Sequence, residues 1–371
     1  MNAQRLENMK YRFLDLKVTG NERLDLLNAI TSVMESGLLV MGPAVEEFES
    51  EIARICERRF AIGVGSGTDA LFTGLRALNL NSDDEIITTS MSWIATANAI
   101  VMAGAKPVFA DVNESLNICV ESVSRLISDK TKAVLTVNFN GLMSDTQKLS
   151  KLCEQKGILL IEDAAQSFGA MLNGKPSGSF GYFTAMSHNP MKILGGLGEC
   201  GSILSDDEEF KDKVEMLRYN GTINRQTCVS PSLNSRIDSI QASILLSRIK
   251  YAYQEIDIRR SHSKLYDSLI GKYVKTPSCS DNKVHVYYTY TIQTPHRDRL
   301  KAYLDQLGVE TKVMHPLPMP CHPAYTGSAG EWENAIRLSS QILSLPVASH
   351  LGESEIREIS ELICSFFEKQ N

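Results

Sequence analysis

Between residues 60 and 163, short apolar runs alternate with helical stretches at nearly even spacing, and this limits the fold more than any other feature of the chain. Five runs read as strands: Phe60-Ala61-Ile62-Gly63-Val64, Glu85-Ile86-Ile87-Thr88-Thr89, Pro107-Val108-Phe109-Ala110-Asp111, Ala133-Val134-Leu135-Thr136-Val137 and Ile158-Leu159-Leu160-Ile161-Glu162-Asp163. Helices are expected between them. One follows the turn at 65–69, with Leu71, Leu75 and Leu78 on one side, and others lie over 95–103, near 119–128 and near 145–156. Strand and helix alternating at this spacing predict a mostly parallel sheet covered on both faces. Ligands of such sheets bind beyond the carboxyl ends of the strands, where Asp163 and the glycine-rich turn both fall.

Ahead of this run, a helix is expected from Asn21, with Leu24, Leu27, Ile30 and Met34 as its apolar stripe and Gly37 as its stop. A second helix covers about 44–57. Downstream come a strand at 201–204, a helix near 207–218 and a polar loop over 219–235. Two helical stretches, about 236–251 and 254–272, then lead into a second unit. It reads as a strand (286–293), a helix (296–307), a strand (309–313), a proline-rich loop (315–325) and closing helices around 333–342 and 353–368. With 371 residues the chain is too long for one small core. The reading is an α/β protein, with a large domain over 1–250 built on a mostly parallel sheet and a smaller C-terminal α+β domain over 251–371.

Apolar residues make up 43% of the chain and charged residues 22%, an ordinary globular balance. A net charge of −6 argues against a nucleic-acid partner. Eight cysteines are scattered with neither a CxxC pair nor zinc-ligand spacing, so no metal site is expected and a reducing, cytoplasmic setting is. Met1-Asn2-Ala3-Gln4-Arg5-Leu6-Glu7 lacks the apolar core of a signal peptide, and no apolar run approaches a membrane span.

The chemistry concentrates in two segments. Lys192 lies in Ser187-His188-Asn189-Pro190-Met191-Lys192-Ile193-Leu194-Gly195-Gly196, downstream of Glu162-Asp163-Ala164-Ala165-Gln166. A lysine beyond an apolar strand, followed by glycines, is able to carry a carbonyl cofactor as a Schiff base, and an aspartate ending an earlier buried strand is able to keep the cofactor's ring nitrogen protonated. Pyridoxal phosphate (PLP) chemistry needs both. Taken alone, such a lysine is more often a solvated loop residue. Glu162 points to the opposite side of its strand and reads as structural. The turn Gly63-Val64-Gly65-Ser66-Gly67-Thr68-Asp69 suits an anion held at a helix start. No Lys-Ser/Thr follows Gly67, and Thr68 stands where a dinucleotide fingerprint needs its third glycine, so ATP and NAD are both disfavoured. A phosphate monoester held by backbone amides with the Thr68 and Ser187 hydroxyls remains open, as does a plain capped helix start. Trp93, just past a strand end, is placed either to stack on a cofactor ring or to serve as a core aromatic.

On these residues the chain resembles the DegT-like sugar aminotransferases, PLP enzymes of the aspartate-aminotransferase-like fold type I. The matching stretches run nearly end to end. They include Met41-Gly42-Pro43, Gly65-Ser66-Gly67-Thr68-Asp69, Ser92-Trp93-Ile94-Ala95-Thr96, Glu162-Asp163-Ala164-Ala165-Gln166, Ser187 with Lys192, Leu233-Asn234-Ser235-Arg236, His315-Pro316 and Leu343-Ser344-Leu345-Pro346. The resemblance implies that Lys192 bears the cofactor and Asp163 pairs with its ring nitrogen. Gln166 would lie near the phenolic oxygen, Gly67, Thr68 and Ser187 would bind the phosphate, and Trp93 would stack on the ring. Asn234 would reach a partner subunit's phosphate in a homodimer with shared sites, while Arg236 and His315 would serve the substrate. The implied reaction takes an amino group from an amino acid, with glutamate the expected donor, to a nucleotide-linked ketosugar in amino-sugar and surface-polysaccharide biosynthesis. Two departures flank the lysine: His188 where the family has an aromatic residue, and Cys200 where a glycine is common. The rival readings are a sugar dehydratase, a transaminase of small keto acids, and a catalytically idle regulator. Relatives that dehydrate replace the lysine with histidine, which favours transamination here.

Overall fold

A computed structural model of the chain describes residues 9–328 and 330–369; the reading of the first seven residues lies outside them. Helices α1 (Gly20–Ser36) and α2 (Pro43–Ile55) precede strand β1 (Phe60–Val64). Then follow α3 (Gly67–Ala77), β2 (Glu85–Thr89), α4 (Ala95–Met102), β3 (Lys106–Ala110), α5 (Val120–Leu126), β4 (Thr131–Val137), α6 (Thr146–Lys156) and β5 (Leu159–Asp163). A strand not singled out from sequence, β6 (Phe183–Ser187), comes before β7 (Gly201–Ser205) and α7 (Glu208–Arg218). These strands form a seven-stranded sheet in the order β1-β7-β6-β5-β4-β2-β3. Only β7 runs against its neighbours. The rest are parallel, so Val64, Thr89, Asp163 and Ser187 end at the same edge. Helices cover both faces, one with Leu71, Leu75 and Phe210, the other with Val123, Leu149 and Cys153.

Several expectations fail in instructive ways. The stretches 236–251 and 254–272 are one helix, α8 (Ser239–Ile270), of 32 residues. No glycine or proline interrupts it. Its apolar phase shifts because it serves two cores: Ala242 and Leu245 pack with Val45, Phe48 and Ile52, whereas Tyr266 and Ile270 pack with Tyr290, Leu304 and Ile359. The stripe assigned to α1 also faces outward. Leu26 and Val33 are buried, while Leu24, Leu27 and Met34 are 59%, 49% and 65% exposed. Beyond α8 come β8 (Tyr290–Gln293), α9 (Arg297–Gln306), α10 (Glu333–Ser339), β9 (Ile342–Leu345) and α11 (Glu353–Glu368). β8 pairs with β9, a strand that the sequence reading did not single out. The expected strand at 309–313 is instead an extended segment with single bridges from Val309 to Tyr11 and from Lys312 to Ser344. No helix among the described residues is long and apolar enough to cross a membrane.

Candidate active site

The carboxyl edge of the sheet opens into a cavity of about 980 Å³. β5 delivers Asp163 to it, β6 delivers Ser187, the first turn of α3 brings Gly67 and Thr68, and the segment after β2 brings Trp93 and Thr96. Gln166, Lys192 and His315 complete the set of sequence-predicted residues lining it. Asn234 and Arg236 do not line it.

Asp163 is 4% exposed. Its Oδ2 accepts from Thr96 Oγ1 at 3.0 Å and its Oδ1 from the Ala165 amide at 3.1 Å. Burial pushes its pKa up, and these two donors with the nearby Lys192 charge offset only part of that. Such a carboxylate has an unfilled place for a cationic N–H, which a pyridinium nitrogen supplies. Glu162, on the other side of the strand, is fully buried and accepts from Asn138 Nδ2, Ser177 Oγ and the Gly178 amide, so it braces the loop over 177–180.

At the other end, Ser66 caps α3 by accepting from the Asp69 amide at 3.0 Å. The Gly67 and Thr68 amides, in the first turn, have no carbonyl behind them within the helix. A Cβ on Gly67 would stand 2.5 Å from Ser187 Cβ, so this turn closes on β6 only with glycine there. First-turn amides with the Thr68 and Ser187 hydroxyls form a donor set suited to a phosphate dianion. Gln166 Oε1 accepts from the Asn140 amide at 2.8 Å. Since that amide only donates, the Gln166 NH₂ is the group left to donate into the cavity. The residues present therefore fit PLP at its ring nitrogen, its phosphate and a ring oxygen.

Lys192 Nζ lies 3.5 Å from Tyr288 Oη and 4.6 Å from the centre of that ring. His315 Nε2 is buried without a hydrogen-bond partner among the described residues. Burial first, then the Lys192 and His322 charges, push the His315 pKa down to about 4. Its ring lies 6.0 Å from that of Trp93. Asn140, Tyr287 and His315 are all left-handed, with φ of 58°, 49° and 54°. Strain of this kind costs about 1–3 kcal/mol per residue and collects at functional sites.

The two departures do not reach the cavity. Strand alternation turns Ser187 inward and His188 outward. His188 is 1% exposed and sits edge-on to Phe48, its Nδ1 donating to the Leu194 carbonyl at 3.1 Å and its Nε2 accepting from Ser202 Oγ at 3.0 Å. Cys200 Sγ is buried 3.3 Å from the His188 carbonyl. Arg248 of α8 holds the same loop through the Gly195 and Gly196 carbonyls at 2.5 and 3.3 Å. Sequence reasoning missed Thr96, Asn140 and Tyr288. Thr96 stood in a recognised stretch as an ordinary helix residue, and Tyr288 lies 96 positions past Lys192 with no local pattern tying the two.

Residues 21–364 match the DegT/DnrJ/EryC1/StrS aminotransferase family. The chain is 34% identical over 351 residues to a pleiotropic regulatory protein of Geobacillus stearothermophilus, covering 92% of this chain and 94% of that one. It is 32% identical over 376 residues to the dTDP-3-amino-3,4,6-trideoxy-alpha-D-glucose transaminase of Streptomyces venezuelae, covering 99% of each. The X-ray structure of S. venezuelae DesV in complex with a ketimine intermediate superposes with a TM-score of 0.93 at 32% identity, covering 96% of this chain and 98% of that one. Fold, site and likeness together define a PLP-dependent aminotransferase of fold type I. The chain belongs to the DegT/DnrJ/EryC1/StrS aminotransferase family.

Proposed function

We propose that this protein moves an amino group from glutamate to a nucleotide-linked ketosugar, as a cytoplasmic homodimer with shared active sites serving amino-sugar and surface-polysaccharide synthesis. The observation that carries this reading is the convergence of Lys192, Asp163 and the Gly67 turn on a single cavity of about 980 Å³. Ligand pockets span roughly 300–1,000 Å³, so this one has room for a cofactor and a bulky second ligand, whereas a small keto acid leaves much of it empty. The transaminase relative from S. venezuelae, named for a dTDP-linked amino sugar, points the same way.

Bound PLP supplies an electron sink for carbanion charge. Asp163, fixed by Thr96 and Ala165, holds the proton on the ring nitrogen that makes the sink effective. Lys192 Nζ, once free, takes a proton from the substrate carbon and returns it as general acid/base. His315, neutral above about pH 4, sits beside Trp93 with an uncommitted Nε2 for a sugar hydroxyl or carbonyl.

Asn234 and Arg236 are assigned to the partner's site. Arg236 Nε donates to Asn234 Oδ1 at 2.7 Å, which leaves the Asn234 NH₂ to donate elsewhere. Arg236 stacks 4.2 Å from the Tyr219 ring centre and has no carboxylate partner among the described residues. The outward apolar face of α1, continued by the exposed Leu38, Leu39 and Val40, suits burial against a second copy.

Likeness to a protein named a pleiotropic regulator raises a second reading, an idle PLP-fold regulator. The paired Lys192 and Asp163 argue against it. Incubation with glutamate and candidate nucleotide-linked ketosugars, with products identified by mass, tests the proposal. An aminated sugar nucleotide with release of 2-oxoglutarate supports it. A dehydrated sugar, an aminated small keto acid alone, or no reaction of the loaded protein with glutamate supports a rival.

A further inference from the structure

We propose that Tyr288 is a positioning residue for the reaction: its phenol is the standing partner of the Lys192 amine and holds that amine at the reacting atoms whenever it is free. This rests on reading Lys192 as the cofactor-bearing lysine. Tyr288 Oη is the one side-chain hydrogen-bond partner of Lys192 Nζ among the described residues, at 3.5 Å, and the ring centre lies 4.6 Å from the same nitrogen. No carboxylate of the described residues forms an ion pair with Lys192.

The chemistry of the partner matters. A carboxylate beside Nζ would favour the ammonium form and oppose its use as a base. A phenol serves both forms. Its O–H donates to the lone pair of the neutral amine. Its oxygen accepts from the ammonium, whose charge the ring face also attracts. Only the hydroxyl hydrogen rotates between the two states, so Nζ gains and loses its proton without leaving its position.

Tyr288 is built to stay in place. It is 8% exposed and follows the left-handed Tyr287. Arg259 Nη1 clamps the Tyr287 and Tyr288 carbonyls at 3.0 and 2.9 Å. A Cβ on Gly141 would meet the Tyr288 nitrogen at 2.8 Å, so the loop over 139–141 sits directly against it. Thr289 Oγ1 donates to Asn140 Oδ1 at 2.5 Å, and the Asn140 amide donates to Gln166. The phenol and the Gln166 amide thus hang on one strained loop, which fixes the lysine's partner relative to the cofactor ring.

The test is Tyr288→Phe, which keeps the ring and removes the hydroxyl. In the loaded protein the half-reaction with glutamate is expected to slow about 10–100-fold, the cost of losing a hydrogen bond to a charged group, with donor affinity changed by less than about threefold. In the cofactor-free protein, acylation of Lys192 at one fixed pH, read by peptide mass, is expected to quicken severalfold relative to other lysines, because the amine has lost its partner. Half-reaction and labelling both within about twofold of wild type would overturn the proposal. Should Tyr288→Phe fail to fold, 3,5-difluorotyrosine at 288 takes its place. It keeps the shape and makes the phenol oxygen a poorer acceptor from the Lys192 ammonium, so the half-reaction is expected to slow severalfold with donor affinity unchanged, and a rate within about twofold of wild type overturns the proposal. Borohydride reduction of the wild-type protein separates the two claims. Cofactor fixed away from Lys192 sinks the reading of the lysine, whereas cofactor fixed on Lys192 with a neutral Tyr288→Phe sinks only the role of the tyrosine.

Discussion

Among the described residues, Asp163 combines deep burial with just two neutral donors, Thr96 and the Ala165 amide. Its folded pKa stands above the unfolded value, so the cofactor-free protein loses stability through this group as pH rises across that interval. Asp163→Asn removes that cost and keeps the shape, but an amide does not hold a ring nitrogen as a pyridinium. The variant is expected to melt at or above wild type without cofactor near pH 8 while losing roughly 10²-fold or more in turnover; activity near wild type would make the residue merely structural. Gly67→Ala is expected to lose PLP on dialysis, since its Cβ pushes α3 off Ser187, and retention equal to wild type would count against the phosphate cradle. Asp163 and the Gly67 turn were legible in sequence because each ends or follows a short apolar strand, where parallel sheets place ligands, and Ser187 through its place five residues before Lys192. Tyr288 and Asn140 were not. Their approach depends on two left-handed residues from loops far apart in the chain, and nothing local in sequence announces that meeting.

At the scale of elements, the alternation of β6 decides what a substitution near the lysine means. His188 looked like a change in the active site, yet its ring packs behind the strand and fastens the lysine loop to Leu194 and Ser202. Burial pushes its pKa down to about 4 from 6.5. A depressed base contributes stability that is complete above the unfolded value and is lost as pH falls from 6.5 towards 4, worth about 3 kcal/mol for this one ring. His188→Gln is expected to flatten the loss of stability between pH 7 and pH 5 in denaturant titrations, and an unchanged slope would show that the ring is not held neutral. The sheet strands and their helices were readable because each carries one apolar pattern for one core. α8 was read as two helices because its pattern changes where it passes from one core to the other. α1 was read inside out because the single chain buries Leu26 and Val33 against its own fold and leaves the richer face to solvent.

For the whole molecule, that open face and the position of Asn234 outside its own cavity lead to the same expectation, a dimer whose sites need both chains. Lys192→Ala and Asn234→Ala subunits, each poor alone, are expected to regain activity when mixed, because the heterodimer holds one site with an intact lysine and the partner's intact asparagine. A fully active, PLP-saturated monomer in sedimentation would contradict the shared site, as would demonstrably mixed dimers without activity. Whether the Lys192–Asp163 cavity passes an amino group to a nucleotide-linked ketosugar is settled by isotope. With glutamate labelled by ¹⁵N on its amino group, a sugar-nucleotide product carrying that ¹⁵N is expected from the wild-type protein and none from Lys192→Ala. A PLP-loaded wild-type protein that leaves every ketosugar nucleotide without the label, or a Lys192→Ala protein that transfers it as well as wild type, would rule out amino transfer through Lys192 to such a sugar.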